Sequence, residues 1–162
     1  MWYLCGIGSN LAPVENVPAA LCRLADLAGW VWASPVVTTR PQGMDTFNGF
    51  LNALVLFWVP LSPEELKTRL NAIEEAQGRD RSDPQRKVRD RPIDIDIIDH
   101  GPTPFTLHHA VAESYFAQVL ASLDQERPEQ ARQLWIEGQP LGLQPATVYR
   151  DGGAGYKVVV DQ

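Results

Sequence analysis

The run Arg91-Pro92-Ile93-Asp94-Ile95-Asp96-Ile97-Ile98 decides the fold. Isoleucine returns at every second position, the period of a strand with one buried face. Ile93, Ile95 and Ile97 then face the core, while Asp94 and Asp96 share the other face about 6.5 to 7 Å apart along the backbone. Upstream, Ser62-Pro63-Glu64-Glu65 starts a helix with three agreeing signals: a capping serine, proline at the first helical position and glutamate three residues after the cap. Leu66, Leu70 and Ile73 give that helix its buried stripe, and Gly78 stops it. Before it, Phe50 to Val59 is an apolar strand closed by Pro60. Its core face carries Leu51, Ala53, Val55 and Phe57; the other carries Phe50 and Asn52 before turning apolar at Leu54 and Leu56.

Earlier in the chain, residues 2–8 form a strand that ends at the turn cluster Gly8-Ser9-Asn10. Val14, Val17, Leu21, Leu24 and Ala28 recur at helical spacing from Pro13 to near Gly29. Residues 30–38 are β-branched and aromatic, a strand in which Pro35 marks an edge or a bulge, and Arg40 to Gly49 is a polar loop. After the acidic strand come a loop to His109, helices near 111–124 and 128–135, and a glycine-rich end with a short strand, Tyr156 to Val160. The order strand, helix, strand, strand, helix, strand is that of a split βαβ core. It predicts one α+β domain over 1–162, a ferredoxin-like αβα sandwich with a mainly antiparallel sheet.

At 162 residues the chain can bury on the order of 70% of its unfolded surface, so it needs no metal or disulfide staple. The formal charge of −6 argues against a protein that coats nucleic acid, whose affinity comes from cations on phosphates. That average conceals a cationic segment: Arg79, Arg81, Arg86, Lys87, Arg89 and Arg91 are six of the 14 basic residues and fall within 13 positions. Cys5 and Cys22 have no companion at metal-ligand spacing and read as reduced, buried thiols. The longest apolar run, Ala53 to Val59, is far short of the ~20 residues that span a bilayer. No basic region leads into an apolar one at the N-terminus, so a cytoplasmic protein without a membrane partner is expected.

Two like charges as close as Asp94 and Asp96 repel unless a cation lies between them, and Mg²⁺ takes a few carboxylate oxygens and completes its shell with waters and substrate phosphates. A solvated, arginine-paired face is the plainer alternative. The preceding arginines tip the balance, because guanidinium forks suit phosphate oxygens and metal plus phosphate contacts together suggest a nucleoside triphosphate. Gly6-Ile7-Gly8 mimics the start of a dinucleotide fingerprint, but position 11 is leucine and no acidic residue follows at the required distance. Asn52 offers one acceptor and two donors, a match for the edge of a planar heterocycle, with Phe50 on the same face able to stack on the ring. A bond from Asn52 to a neighbouring loop is the other reading. His108 and His109 could reach phosphate, and His100 beside Gly101 reads as turn filling.

Seven motifs in order, Gly8-Ser9-Asn10-Leu11, Thr39-x-Pro41-x-Gly43, Phe50-Leu51-Asn52, Leu61-Ser62-Pro63-Glu64-Glu65-Leu66, Ile73-Glu74, Gly78-Arg79-Asp80-Arg81 and Arg91-Pro92-Ile93-Asp94-Ile95-Asp96, give the chain its family likeness. Over residues 2–101 it resembles the 6-hydroxymethyl-7,8-dihydropterin pyrophosphokinases of folate synthesis. The resemblance implies transfer of diphosphate from MgATP to the pterin hydroxymethyl group, with AMP released; the expected partners are these two small molecules, and a monomer is expected. It implies two Mg²⁺ ions on Asp94 and Asp96, and phosphate contacts or loop gating by the catalytic residues Arg79, Arg81 and Arg91. It places the pterin against Asn52, between Phe50 and Phe116, with Thr39, Pro41 and Gly43 lining the pocket. It puts Glu74 with Arg79 and Arg81 in the ATP site, and aligns His109, or alternatively His108, with a phosphate-contacting histidine. The chain departs from the family pattern at Val88-Arg89-Asp90-Arg91, at Ala110 and near Ser114. A diverged paralogue that binds pterin or nucleotide without efficient transfer is therefore the competing reading.

Overall fold

The computed structural model describes residues 1–39, 49–80, 82, 91–103 and 130–161. Nine strands and two helices lie in these segments: β1 (Trp2–Ser9), α1 (Pro13–Ala28), β2 (Trp30–Ala33), β3 (Val37–Thr39), β4 (Phe50–Trp58), α2 (Pro63–Ala76), β5 (Asp94–Gly101), β6 (Leu134–Ile136), β7 (Gln139–Leu141), β8 (Ala146–Arg150) and β9 (Tyr156–Val160). The main sheet runs β5-β1-β4-β2-β8-β9, with β3 paired to β4. Every pairing is antiparallel. Its first four strands have the order of a split βαβ core, so the expected α+β architecture holds. The helix expected near 111–124 lies outside the described residues.

Local chemistry explains the two helices. Ser62 caps α2: its hydroxyl accepts the Glu65 N–H at 3.2 Å and the Glu65 carboxylate reaches back to the Ser62 N–H, a complete capping box with Pro63 in the first turn. No side chain caps α1, which begins at Pro13 after Ala12 in a left-handed conformation. Val17, Leu21 and Leu24 of α1 and Leu66 and Leu70 of α2 join Cys5, Ile7, Leu51, Ala53, Val55, Phe57, Ile93 and Ile95 in one core. The alternation expected for β4 and β5 is thus realised, with Ile97 packed at the core margin. Burial pushes the Cys5 thiol well above its usual range, as for an inert core thiol, and Cys22 is also free.

Four expectations need correction. The strand read over 30–38 is two strands, because Pro35 has no N–H to give; Ser34 turns its hydroxyl to the Leu54 N–H at 2.8 Å at the break. β5 runs on to Gly101, with the register slipping between Leu4 and Cys5 so that Ile98 is the extra residue. His100 is therefore a strand residue whose ring lies 5.8 Å from that of Tyr3, not turn filling. The helix expected over 128–135 is absent from its described part: Leu134–Ile136 is a strand paired with Gln139–Leu141 across Glu137-Gly138. Both turn residues have positive φ, 50° and 77°, as a two-residue hairpin turn requires. Residues 130–161 thus extend the sheet by β8 and β9 instead of covering it with a helix. Among the described residues no helix is long and apolar enough to cross a membrane.

Candidate active site

The ladder hydrogen bonds bring together three motifs far apart in sequence. Gly8 of β1 pairs with Asn52 of β4 on one side and with Asp94 of β5 on the other. The next row on the same face is Leu54, Gly6 and Asp96. β1 therefore presents glycine, without a side chain, between Asn52 and Asp94 and again beside Asp96. Asn52 and Phe50 are both buried on this face, outside the main core cluster.

The end of α2 supplies a guanidinium. Gly78, at φ 102°, reverses the chain so that its N–H bonds the Glu75 carbonyl and the Arg79 N–H bonds the Glu74 carbonyl at 3.0 Å. This closing motif aims the Arg79 side chain back past its own helix. Its Nη1 donates to Asp94 Oδ1 at 2.6 Å and to Glu74 Oε2 at 3.1 Å. The same Glu74 oxygen accepts the Ile95 N–H at 2.8 Å. Arg91 donates to the second Asp94 oxygen at 3.3 Å. Arg91 is itself fixed by Asn10, whose Oδ1 accepts the Arg91 N–H at 2.6 Å and whose N–H bonds the Arg91 carbonyl at 3.1 Å.

The charges are unevenly shared. Burial alone would raise the Asp94 pKa, but hydrogen bonds and charge from Arg79 and Arg91 prevail and hold it below the usual carboxylate range. Asp96 lies at the exposed edge; desolvation on its inner side, then the Asp94 charge and a hydrogen bond with Asp94, push it up to about 7. Of the two carboxyl groups, Asp96 is therefore the one that takes up a proton more readily. Burial opposes the charge on Arg79, yet Asp94, Glu74 and Asp96 outweigh it and raise its pKa. A cleft of about 290 Å³ between α2 and β5, bordered by Lys67, Asn71, Arg79, Asp94 and Asp96, opens onto these groups.

The described residues contain no group of three or more His, Cys, Asp or Glu arranged to hold a metal ion. A pair of hard oxygen donors on one strand face nevertheless fits Mg²⁺, which needs only one or two carboxylates when phosphates and waters fill its other positions. Of the expected site residues, Arg79, Arg91, Asp94, Asp96 and Glu74 converge, while Phe50 and Asn52 lie across β1 from them. Thr39 ends β3, paired with Phe50. Arg81, Pro41, Gly43, Phe116, His108 and His109 lie outside the described residues. Two positioning residues, Gly8 and Asn10, were not singled out for such a role by the sequence. In the sequence they stand in the turn cluster Gly8-Ser9-Asn10 and open the motif Gly8-Ser9-Asn10-Leu11, neither of which by itself assigns them a role in the site.

Comparison with known proteins bears on the same segments. A protein of Porphyromonas gingivalis named 2-amino-4-hydroxy-6-hydroxymethyldihydropteridine pyrophosphokinase is 35% identical over 100 residues, covering 60% of this chain and 68% of that protein. A Haemophilus influenzae protein of the same name is 35% identical over 98 residues, 59% of each chain. One from Synechocystis is 32% identical over 105 residues, 59% of this chain and 49% of its own. The profile of the 7,8-dihydro-6-hydroxymethylpterin-pyrophosphokinase family matches residues 4–125, three quarters of the sequence and both halves of the Asn52–Gly8–Asp94 row, and the chain belongs to that family.

Proposed function

We infer that this chain transfers diphosphate from ATP to the hydroxymethyl group of 6-hydroxymethyl-7,8-dihydropterin, the reaction that prepares the pterin for folate biosynthesis. The observation that carries the reading is the row Asn52–Gly8–Asp94, with Asp96 one row further along the same face. It sets a group suited to a heterocycle edge beside a carboxylate pair suited to a metal–phosphate complex.

The hydroxymethyl oxygen attacks the β-phosphorus of ATP, the bond from that phosphorus to the α,β-bridging oxygen breaks, and AMP leaves with the electron pair. The hydroxymethyl proton is lost to solvent or phosphate; no described side chain is assigned as its base. Asn52 would hold the pterin edge and Phe50 one ring face, which fixes the direction of the hydroxymethyl arm. Asp94 and Asp96 would hold Mg²⁺, which when bound supplies charge neutralisation on the polyphosphate oxygens and favours the alkoxide character of the attacking oxygen. Arg79 and Arg91 would shift from Asp94 toward phosphate oxygens, where bidentate donors stabilise charge that grows as the bond breaks. Glu74 would keep Arg79 oriented during that exchange, since its own side chain is only 1% exposed and anchored to Ile95. Arg81, His109 and Phe116 complete the set by resemblance.

An assay of AMP formation with MgATP and the hydroxymethyl dihydropterin tests the reading. The unmodified chain forms AMP, and Asp94→Ala and Asp96→Ala each reduce the rate by at least about a hundredfold. A chain that binds pterin and nucleotide but forms no AMP would overturn it in favour of the paralogue.

A further inference from the structure

Gly8 lies within β1, buried and paired on both sides, a position that glycine ordinarily weakens. Its backbone does not require glycine, because it is not among the residues with positive φ. Space is the remaining reason. A Cβ built on Gly8 collides with Asn52 Oδ1 and comes within 3.5 Å of Asn52 Cγ and 3.7 Å of Phe50 Cδ1. All three nearest atoms belong to the pterin side of the row and none to Asp94. The Asn52 carboxamide thus leans over β1 into the volume that any other residue would fill. Asn52 is 0% exposed, so it has no open solvent into which to swing aside.

We propose that Gly8 is a positioning residue for the heterocycle: its missing side chain lets the Asn52 carboxamide lie across β1, and so sets where the pterin edge is held relative to Asp94. The proposal rests on the pterin-binding reading of Asn52. It assigns to β1 a specificity role separable from nucleotide and metal binding, because the space vacated by Gly8 is taken up on one side only.

The test is Gly8→Ala in the full chain, titrated separately with the hydroxymethyl pterin and with a nonhydrolysable ATP analogue plus Mg²⁺, alongside thermal melts of Gly8→Ala, Asn52→Ala and the double variant. Pterin affinity falls by roughly tenfold or more, as expected when hydrogen bonds to a buried amide are misaligned, while nucleotide affinity stays within about twofold. Gly8→Ala lowers Tm in the unmodified background but not in Asn52→Ala, where truncation removes the colliding atoms. Equal pterin affinity in Gly8→Ala and the unmodified chain overturns the proposal, as does an equal loss of both ligands or an additive loss of Tm in the double variant. Failure of the unmodified chain to bind pterin would instead overturn the pterin reading of Asn52, and this proposal with it. If Gly8→Ala does not fold, recovery of folding in the double variant supports the collision, and continued failure overturns it.

Discussion

Glu74 accepts the backbone N–H of Ile95 at 2.8 Å, and this one bond ties the last turn of α2 to the strand between Asp94 and Asp96. The same carboxylate oxygen takes Arg79, so a single buried charge serves both the fold and the site. Glu74→Ala leaves the Arg79 guanidinium short of a partner and the Ile95 N–H without its acceptor. The expected cost is about 3 kcal/mol by urea unfolding. Glu74→Gln, which keeps an acceptor for Ile95, loses less. An alanine variant within about 0.5 kcal/mol of the unmodified chain would show the contact to be incidental.

Asp94 and Asp96 should respond oppositely to neutralisation in the metal-free protein. Asp94 holds two guanidinium groups, and Asp94→Asn weakens both contacts. Asp96 carries repulsion from Asp94 and Glu74, so Asp96→Asn removes an unfavourable charge. Melts at pH 8 with chelator present should therefore give a lower Tm for Asp94→Asn and an unchanged or higher one for Asp96→Asn. The reverse order would mean that the arginines do not rest on Asp94 in solution.

The pH dependence follows from the same pair. The Asp96 pKa is raised on folding from 3.8 to about 7, so its stabilising contribution is complete below about pH 4 and is lost as pH rises through 7. Asp94 has the opposite sign: its contribution is present above its unfolded value and is lost as pH falls through its lowered one. Mg²⁺ held by the proposed Asp94–Asp96 pair would displace the Asp96 proton, so its affinity should rise with pH between 6 and 8, with proton uptake by buffer detectable in calorimetry. Asp96→Asn should abolish that proton release. A pH-independent Mg²⁺ affinity over this window would refute the raised Asp96 pKa.

At the far end of the sheet, Gln139 covers the outer edge of β9: its Nε2 donates to the Tyr156 carbonyl at 2.8 Å and its Oε1 accepts the Val158 N–H at 2.9 Å. Glu137 takes the Tyr156 N–H at 2.8 Å. An amide side chain thus occupies positions that a further strand would use. Gln139→Ala should expose them and increase concentration-dependent self-association in light scattering, without changing AMP formation.

Much of this was legible in the sequence where one physical signal dominated. Ser62-Pro63-Glu64-Glu65 names its own helix start, and the isoleucines around Asp94 and Asp96 leave little choice of face. The segment 130–161 was not legible. Leu134-Trp135-Ile136 is too short to show a period, and its partner strand contains Pro140. The informative residues were Glu137-Gly138, a hairpin turn without the usual asparagine or aspartate before the glycine. For the site, the acidic pair and the arginines could be read from spacing, but their pairing could not. That Arg79 meets Asp94 depends on how Gly78 reverses the chain, and that Asn10 holds Arg91 depends on contacts 81 residues apart.

The row across β4, β1 and β5 also acts as a gauge. From Asn52 to Asp94 the backbone spans two strand spacings, about 10 Å, a length fixed by peptide hydrogen bonds and insensitive to which side chains decorate them. With the proposed pterin contact at Asn52 and metal site at Asp94, selectivity for the length of the arm between ring and hydroxyl would follow from the strand spacing. A pterin whose hydroxymethyl arm is extended by one methylene should still dock its ring on Asn52 yet overshoot the phosphorus, binding well and reacting poorly. The strand spacing sets the coarse length, and the lie of the Asn52 carboxamide over Gly8 sets the fine one.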